Sequence, residues 1–291
     1  MTPAALIRDA ERRFRAARLH YGHGTDNAHD EAAFLVLRGL GLDFDAGLEK
    51  SVKPTGRRRV EALIRKRIEK RIPAAYLLRE AWLERRCFYV DRRVIVPRSH
   101  IAGLLSHELR PWLPGRPRRI LDLCTGSGCL AILAALAFPR ARVVAADVSS
   151  PALAVAAINV RRFRLQKRVT LVRSDLFAAL ADERYDLIVT NPPYVPERSM
   201  SALPPEYRHE PRLSLAGGSR GLQFVSRILR EAPRHLAPHG LLVCELGANR
   251  RALERAYPGL PFLWPQEEVF ILEAPRTGAA FRTLPKRAAA R

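Results

Sequence analysis

From Arg119 onward the chain alternates short β-branched apolar runs with helix-length segments. That alternation leaves few folds open besides a mostly parallel sheet with helices on both faces. Ile120-Leu121-Asp122-Leu123, Arg142 to Asp147, Val169 to Val172, Leu187 to Thr190 and Leu241 to Glu245 read as successive strands. Leu130 to Ala137, Pro151 to Phe163 and Gly221 to Leu236 read as helices, and Phe262 to Trp264 is expected to pair with Val269 to Leu272 as a terminal hairpin. In an open parallel sheet, ligands bind outside the carboxyl ends of the strands, where the strand order switches. Asp122, the turn Gly126-Ser127-Gly128, Asp147, Asp175 and Asn191 all fall at such ends.

The fourth of these strands closes on Thr190-Asn191-Pro192-Pro193-Tyr194. Two prolines stop a strand, and neither can donate a backbone N–H. Their carbonyls therefore stand as acceptors with directions fixed by restricted φ. An amide side chain precedes them and an aromatic ring follows. The segment collects acceptors for a planar –NH2 group and a flat face for whatever carries it.

Gly126 and Gly128 allow tight turning and close backbone approach, and the N-terminus of the next helix supplies unpaired N–H groups. Asp147, at the end of the second strand, is placed to accept both hydroxyls of a ribose. Gly126-x-Gly128-x-x-Ala131 also satisfies the dinucleotide fingerprint, so a nicotinamide cofactor competes. Against it, Asp122 suits an ammonium group better than a pyrophosphate, and Asn-Pro-Pro-Tyr has no task in hydride transfer. Asp122-x-x-Thr125-Gly126-Ser127-Gly128, with an acid after the next strand, instead resembles the S-adenosylmethionine site of the Rossmann-like methyltransferases. By that likeness Asp175 faces the adenine amino group and Leu176 lies beside the ring.

Together the two sites describe methyl transfer from a sulfonium to an –NH2 nitrogen. An amide or exocyclic amine nitrogen is a poor nucleophile because its lone pair is delocalised. Asn191 Oδ1 and the Pro192 carbonyl are placed to accept one N–H each, so the work is orientation and electrostatics. No general base is assigned to His209 or Glu210, since the methylated cationic product sheds its proton readily.

Ahead of the sheet, residues 1–74 read as a helical domain. Thr2 and Pro3 start a first helix, Asp26 a second that ends near Gly39 and Gly41, and Thr55 a third with Val60, Leu63, Ile64 and Ile68 on one face. The other positions of that third helix carry Arg57, Arg58, Arg59, Arg65, Lys66, Arg67, Lys70 and Arg71. Residues 75–97 read as a β-hairpin linker that includes Val94-Ile95-Val96, residues 98–275 as the sheet domain, and residues 276–291 as a basic, flexible, Ala-rich tail. The net charge of +21 favours polyanionic surroundings such as rRNA or a ribosome-assembly intermediate. No apolar run reaches the roughly 18 residues of a membrane span and no signal pattern opens the chain, so a cytoplasmic protein without membrane contact is expected. Cys87, Cys124, Cys129 and Cys244 fall at no metal-ligand spacing, and neither a metal nor a disulfide is expected.

Nearly the whole chain resembles the protein-(glutamine-N5) methyltransferases. The likeness is carried by Ile72-Pro73-Ala74-Ala75-Tyr76-Leu77, Val96-Pro97-Arg98, Asp122 to Cys129, Asn191 to Tyr194, Leu203 to Pro211, Leu215-Ala216-Gly217-Gly218 and Gly221-Leu222. Cys124-Thr125-Gly126-Ser127-Gly128-Cys129 and Glu206-Tyr207-Arg208-His209-Glu210-Pro211 are similar to the branch acting on L-three of the large ribosomal subunit. The resemblance implies a Rossmann-like class I methyltransferase fold with a seven-stranded sheet. It further implies that Asn191, Pro192, Pro193 and Tyr194 grip a glutamine. Asp122, Cys124, Thr125, Gly126, Ser127, Gly128, Asp147, Asp175, Leu176 and Asn191 would hold S-adenosylmethionine and its product S-adenosylhomocysteine, and the N-terminal domain would help select L-three. Release factors, DNA adenine and a catalytically idle assembly factor are the alternatives. The family commonly carries a Gly/Asp-bearing loop before its last strand, where this chain has only the short Trp264-to-Val269 connection.

Overall fold

The computed structural model describes residues 1–113, 115–180 and 183–274; the expected tail at 276–291 lies outside them. Contacts divide the chain into two units, Met1–Arg98 together with Pro204–Glu210, and Ser99–Leu203 together with the chain from Pro211 onward.

The first unit is built on three helices, α1 (Pro3–Ala16), α2 (Ala28–Leu40) and α3 (Pro54–Lys70). The Thr2 hydroxyl accepts from Ala5 N at 3.3 Å and Pro3 occupies the first helical turn, so α1 starts where its cap chemistry directs. The cap of α2 is Asn27, one residue beyond the expected Asp26, because Asn27 Oδ1 accepts from Asp30 N at 2.9 Å. The helix ends on Gly41 in the left-handed region, φ 73°. Leu6, Ala10, Phe14, Leu35, Val60 and Ile64 are buried between the three helices. A short helix α4 (Ala74–Leu78) precedes a two-stranded antiparallel hairpin, β1 (Ala81–Leu83) with β2 (Arg86–Phe88).

Two features depart from the sequence pattern. Val94-Ile95-Val96 joins no strand. Its backbone is satisfied elsewhere, the Val94 carbonyl by the Tyr76 hydroxyl at 2.5 Å and Val96 N by the Glu210 carboxylate at 2.9 Å. Arg67, counted among the charged positions of α3, is wholly buried. Its guanidinium pairs with Glu31, with Glu206 at 3.1 Å and with the His20 carbonyl at 2.8 Å. Glu206 also accepts from His20 N at 3.1 Å and Arg71 at 3.3 Å, and Glu210 takes a two-pronged bond from Arg98 at 2.6 and 2.7 Å. These contacts are why Pro204–Glu210 groups with the N-terminal helices.

Burial raises the proton affinity of Glu206, but the hydrogen bonds from backbone N–H groups and Arg67 outweigh it and hold the carboxyl below its usual range. Removing one partner of a buried ion pair strands the other charge. Glu206→Ala is expected to cost about 3–5 kcal/mol of stability in urea titration, whereas truncating the exposed Glu61 that pairs with Arg13 should cost no more than about 1 kcal/mol.

The second unit opens with a short helix α5 (Ile101–Gly103) that runs into a π-helical turn. Then follow β3 (Arg119–Leu123), α6 (Cys129–Ala137), β4 (Arg142–Asp147), α7 (Ser150–Arg162), β5 (Val169–Arg173) and β6 (Tyr185–Thr190). A four-residue helix α8 (Glu197–Met200) precedes α9 (Gln223–His235), β7 (Leu236–Glu245), α10 (Arg250–Ala256), β8 (Leu263–Gln266) and β9 (Val269–Glu273). The seven strands lie in the order β5-β4-β3-β6-β7-β9-β8. All neighbours are parallel except β9, which runs antiparallel to both β7 and β8. The fold is that of the class I methyltransferases. Its order switches between β3 and β6, so the carboxyl ends of those two strands adjoin at Leu123 and Thr190. The strand interiors read as near-continuous apolar runs because helices cover both faces.

Candidate active site

Backbone bonds weld the strand ends together before any ligand is considered. Thr125 N donates to the Ala146 carbonyl at 3.0 Å, Ser174 N to the Asp147 carbonyl at 2.9 Å, and Thr190 Oγ1 to the Leu123 carbonyl at 3.0 Å. The turn after β3 is compressed into left-handed geometry, with Cys124 at φ 57°, Gly126 at 54° and Gly128 at 80°. A Cβ on Gly128 would press on Ala156 of α7 at 3.1 Å, so this glycine serves helix packing. A Cβ on Gly126 would meet nothing nearer than the Cys124 carbonyl at 4.0 Å, so this glycine leaves the main chain open to approach.

Asp147 accepts from Gly126 N at 2.9 Å and Ser149 N at 2.8 Å, one bond to each carboxylate oxygen, and so ties the turn to the end of β4. Asp122 is fully buried. Its Oδ2 accepts from the Thr125 hydroxyl at 2.5 Å and Ala131 N at 2.9 Å, while Oδ1 has no partner. Burial first, and the Asp147 charge last, push its pKa up to about 7 against the pull of those two bonds. Asp175 follows β5 and is held by both prongs of Arg227, at 3.0 and 3.2 Å, with its carboxylate half exposed. Leu176 beside it is buried with φ 52°. Burial lifts the Cys129 thiol to about 12 and raises Cys124 and Cys244 as well, which disfavours their thiolates. Among the described residues, no three His, Cys, Asp or Glu side chains are grouped to hold a metal.

At the end of β6, Pro192 and Pro193 are buried and Asn191 and Tyr194 are half-buried. Three glycines press on this segment where no side chain would fit. A Cβ on Gly217 would lie 2.6 Å from Tyr194 Cα, one on Gly221 2.3 Å from the Tyr194 carbonyl, and one on Gly247 2.7 Å from the Tyr194 ring. The loop that carries the first two is zipped to the segment, Val195 N to the Leu215 carbonyl at 2.9 Å and Gly217 N to the Val195 carbonyl at 2.8 Å. Sequence reasoning noted Gly217 and Gly221 only as part of a likeness, and missed Gly247 and Asn249. Those two follow the apolar strand β7, and the strand-end logic used for Asp122 and Asn191 would have found them.

Residues 103–203 match the family described as Methyltransferase small domain. Over 264 residues the chain is 56% identical to the ribosomal protein uL3 glutamine methyltransferase of Bordetella pertussis, covering 89% of each chain. This chain belongs to the ribosomal protein uL3 glutamine methyltransferases. It is also 49% identical to the enzyme of that name from Burkholderia pseudomallei, over 89% of this chain and 88% of that one. Among solved structures, the catalytic domain of hMettl16 in complex with the MAT2A 3'UTR hairpin 6 is similar in fold alone, with a TM-score of 0.50 and 16% identity over 80% of this chain and 86% of that one.

In this methyltransferase three features of the turn after β3 stand together. Its main chain is open at Gly126, a carboxylate stands at the end of β4, and Asp122 keeps one carboxylate oxygen uncommitted. Asp122 is also a structural member of that turn. Asp122→Ala leaves the Thr125 hydroxyl and Ala131 N–H buried without an acceptor, at about 1–3 kcal/mol each. Chemical denaturation should register that loss, and Asp122→Asn, which keeps one acceptor oxygen, should recover most of it.

Proposed function

We propose that the chain methylates the side-chain amide nitrogen of a glutamine in ribosomal protein uL3, the L-three of the large subunit, using S-adenosylmethionine. The observation that carries this reading is the segment Asn191–Tyr194, clamped at the carboxyl end of β6 by Gly217, Gly221 and Gly247 and facing the turn-bearing end of β3. Relatives at 49–56% identity, named for that substrate, support it.

S-Adenosylmethionine, when bound, supplies a methyl group on a positively charged sulfur. Cys124 to Gly128 with Asp147, Asp175 and Leu176 are the residues to hold it, Asp122 acting from beneath the turn. Asn191 Oδ1 and the Pro192 carbonyl each accept one N–H of the glutamine amide. Both bonds polarise the N–H groups so that electron density moves from hydrogen onto nitrogen, and their directions favour a pyramidal nitrogen whose lone pair is free to react. Holding the amide in one orientation is worth much of the barrier, since effective molarities supply about 7–11 kcal/mol. Tyr194 gives the glutamine stem a flat apolar wall. The product nitrogen is cationic until its extra proton passes to water, so no protein base is needed. His209 and Glu210 are committed elsewhere, to the Lys70 carbonyl at 2.7 Å and to Arg98.

The first unit is the part to select the protein substrate. Along α3 the side chains of Arg57, Arg58, Arg59, Arg65, Lys66 and Lys70 are exposed. A cationic helix face of this kind suits the rRNA on which uL3 assembles. The experiment is transfer of labelled methyl from S-adenosylmethionine to free uL3, uL3 on an rRNA fragment, a release factor and DNA, each offered separately. Label on uL3, faster with rRNA at low salt, is the expected result; label on the release factor or DNA alone overturns the substrate. In the same assay Asn191→Ala should abolish transfer while leaving cofactor binding nearly intact in calorimetry, whereas Asp147→Ala should weaken binding.

A further inference from the structure

The Asn191–Tyr194 segment is fixed at its amino end by the Thr190 hydroxyl on the Leu123 carbonyl. At its carboxyl end one side chain performs the corresponding task. Asn249 Nδ2 donates to the Tyr194 carbonyl at 2.9 Å and to the Leu246 carbonyl at 3.0 Å. Both amide hydrogens are thereby used, and the two facing carbonyls require nitrogen rather than oxygen at that end of the amide. The N–H half of the same Tyr194–Val195 peptide donates to the Leu215 carbonyl at 2.9 Å, so the peptide plane is held from both sides.

Asn249 can reach because Gly221 leaves its path open. It lies on a 3₁₀ turn, Gly247–Asn249, directly after β7. A Cβ on Gly221 would fall 3.0 Å from Asn249 Nδ2 as well as 2.3 Å from the Tyr194 carbonyl, filling the path of the bond. With φ fixed at both prolines, the remaining freedom of the acceptors lies in a few ψ angles and in the Tyr194 peptide. Pinning that peptide removes one of these freedoms.

We propose that Asn249 is a positioning residue for methyl transfer, a side chain that touches no substrate and sets the direction of the acceptors at Asn191 and Pro192. This rests on the reading that those two groups bind the glutamine amide. A small misdirection there separates binding from rate, because an amide can still dock while its nitrogen is turned from the reacting line.

The decisive variant is Asn249→Asp, which keeps the shape and sets a carboxylate oxygen against two carbonyls. Gly221→Ala attacks the same bond from the other side and guards against a folding defect peculiar to position 249. Single-turnover methylation of uL3 should slow on the order of 10–100-fold in both, with KM for uL3 and the Kd for S-adenosylmethionine changed by less than about twofold. Asn249→Gln, which retains the donor, should recover part of the rate. Asn191→Ala run alongside separates the two claims. If it is inactive while Asn249→Asp and Gly221→Ala transfer at the native rate, the positioning role is wrong and the amide reading stands. If Asn191→Ala is itself active, both fall. Loss of cofactor affinity in step with the rate would also overturn the proposal, because Asn249 would then shape the cofactor site.

Discussion

The parallel pairing of β3 with β6 is the constraint on which the rest of the molecule depends. It places Leu123 beside Thr190, so whatever follows each strand emerges on the same edge of the sheet. After one comes a turn of left-handed residues, and after the other a rigid run of two prolines. Neither feature alone specifies a chemistry. Brought together, one can seat a charged methyl carrier and the other can hold a planar amide. The covering helices bury both faces of these strands, which is why their interiors stay apolar from end to end.

The sulfonium already carries strong driving force, and what an amide nitrogen lacks is orientation and a localised lone pair. On the proposed reading, the structure is given over to fixing acceptors rather than to tuning acids and bases. The strongly shifted groups of the second unit fit that division. Asp122 is raised by burial and ties the turn together, and burial likewise raises the thiols of Cys124, Cys129 and Cys244. Tyr194 is enclosed by glycines on three sides, at positions where any side chain would displace its backbone or ring.

The sequence was most legible where local chemistry decides the outcome. Thr2 and Pro3 announced α1, Gly41 closed α2, and β-branched runs marked the strands together with the acids at their ends. It was least legible where distant residues decide it. The unpaired course of Val94 to Val96 follows from a carboxylate more than a hundred residues away, Glu210, that takes the Val96 N–H. The burial of Arg67 follows from Glu31 and Glu206, neither of which helical periodicity could pair with it. Asp122 reads in the sequence as a ligand for an ammonium group; what the structure shows is the acceptor that holds Thr125 and Ala131 in place. Asn249 escaped notice because its partner is a backbone carbonyl, and a carbonyl leaves no mark in a sequence.

The central claim is that the methyl group goes to a glutamine amide nitrogen, and the position of that methyl tests it most directly. Methylated uL3 would be digested, the labelled peptide sequenced by tandem mass spectrometry, and the peptide then hydrolysed in acid. The account predicts that the label maps to a glutamine side chain and is released as methylamine. Release as methanol, from a carboxyl ester, or retention on a lysine or a main-chain nitrogen would contradict it.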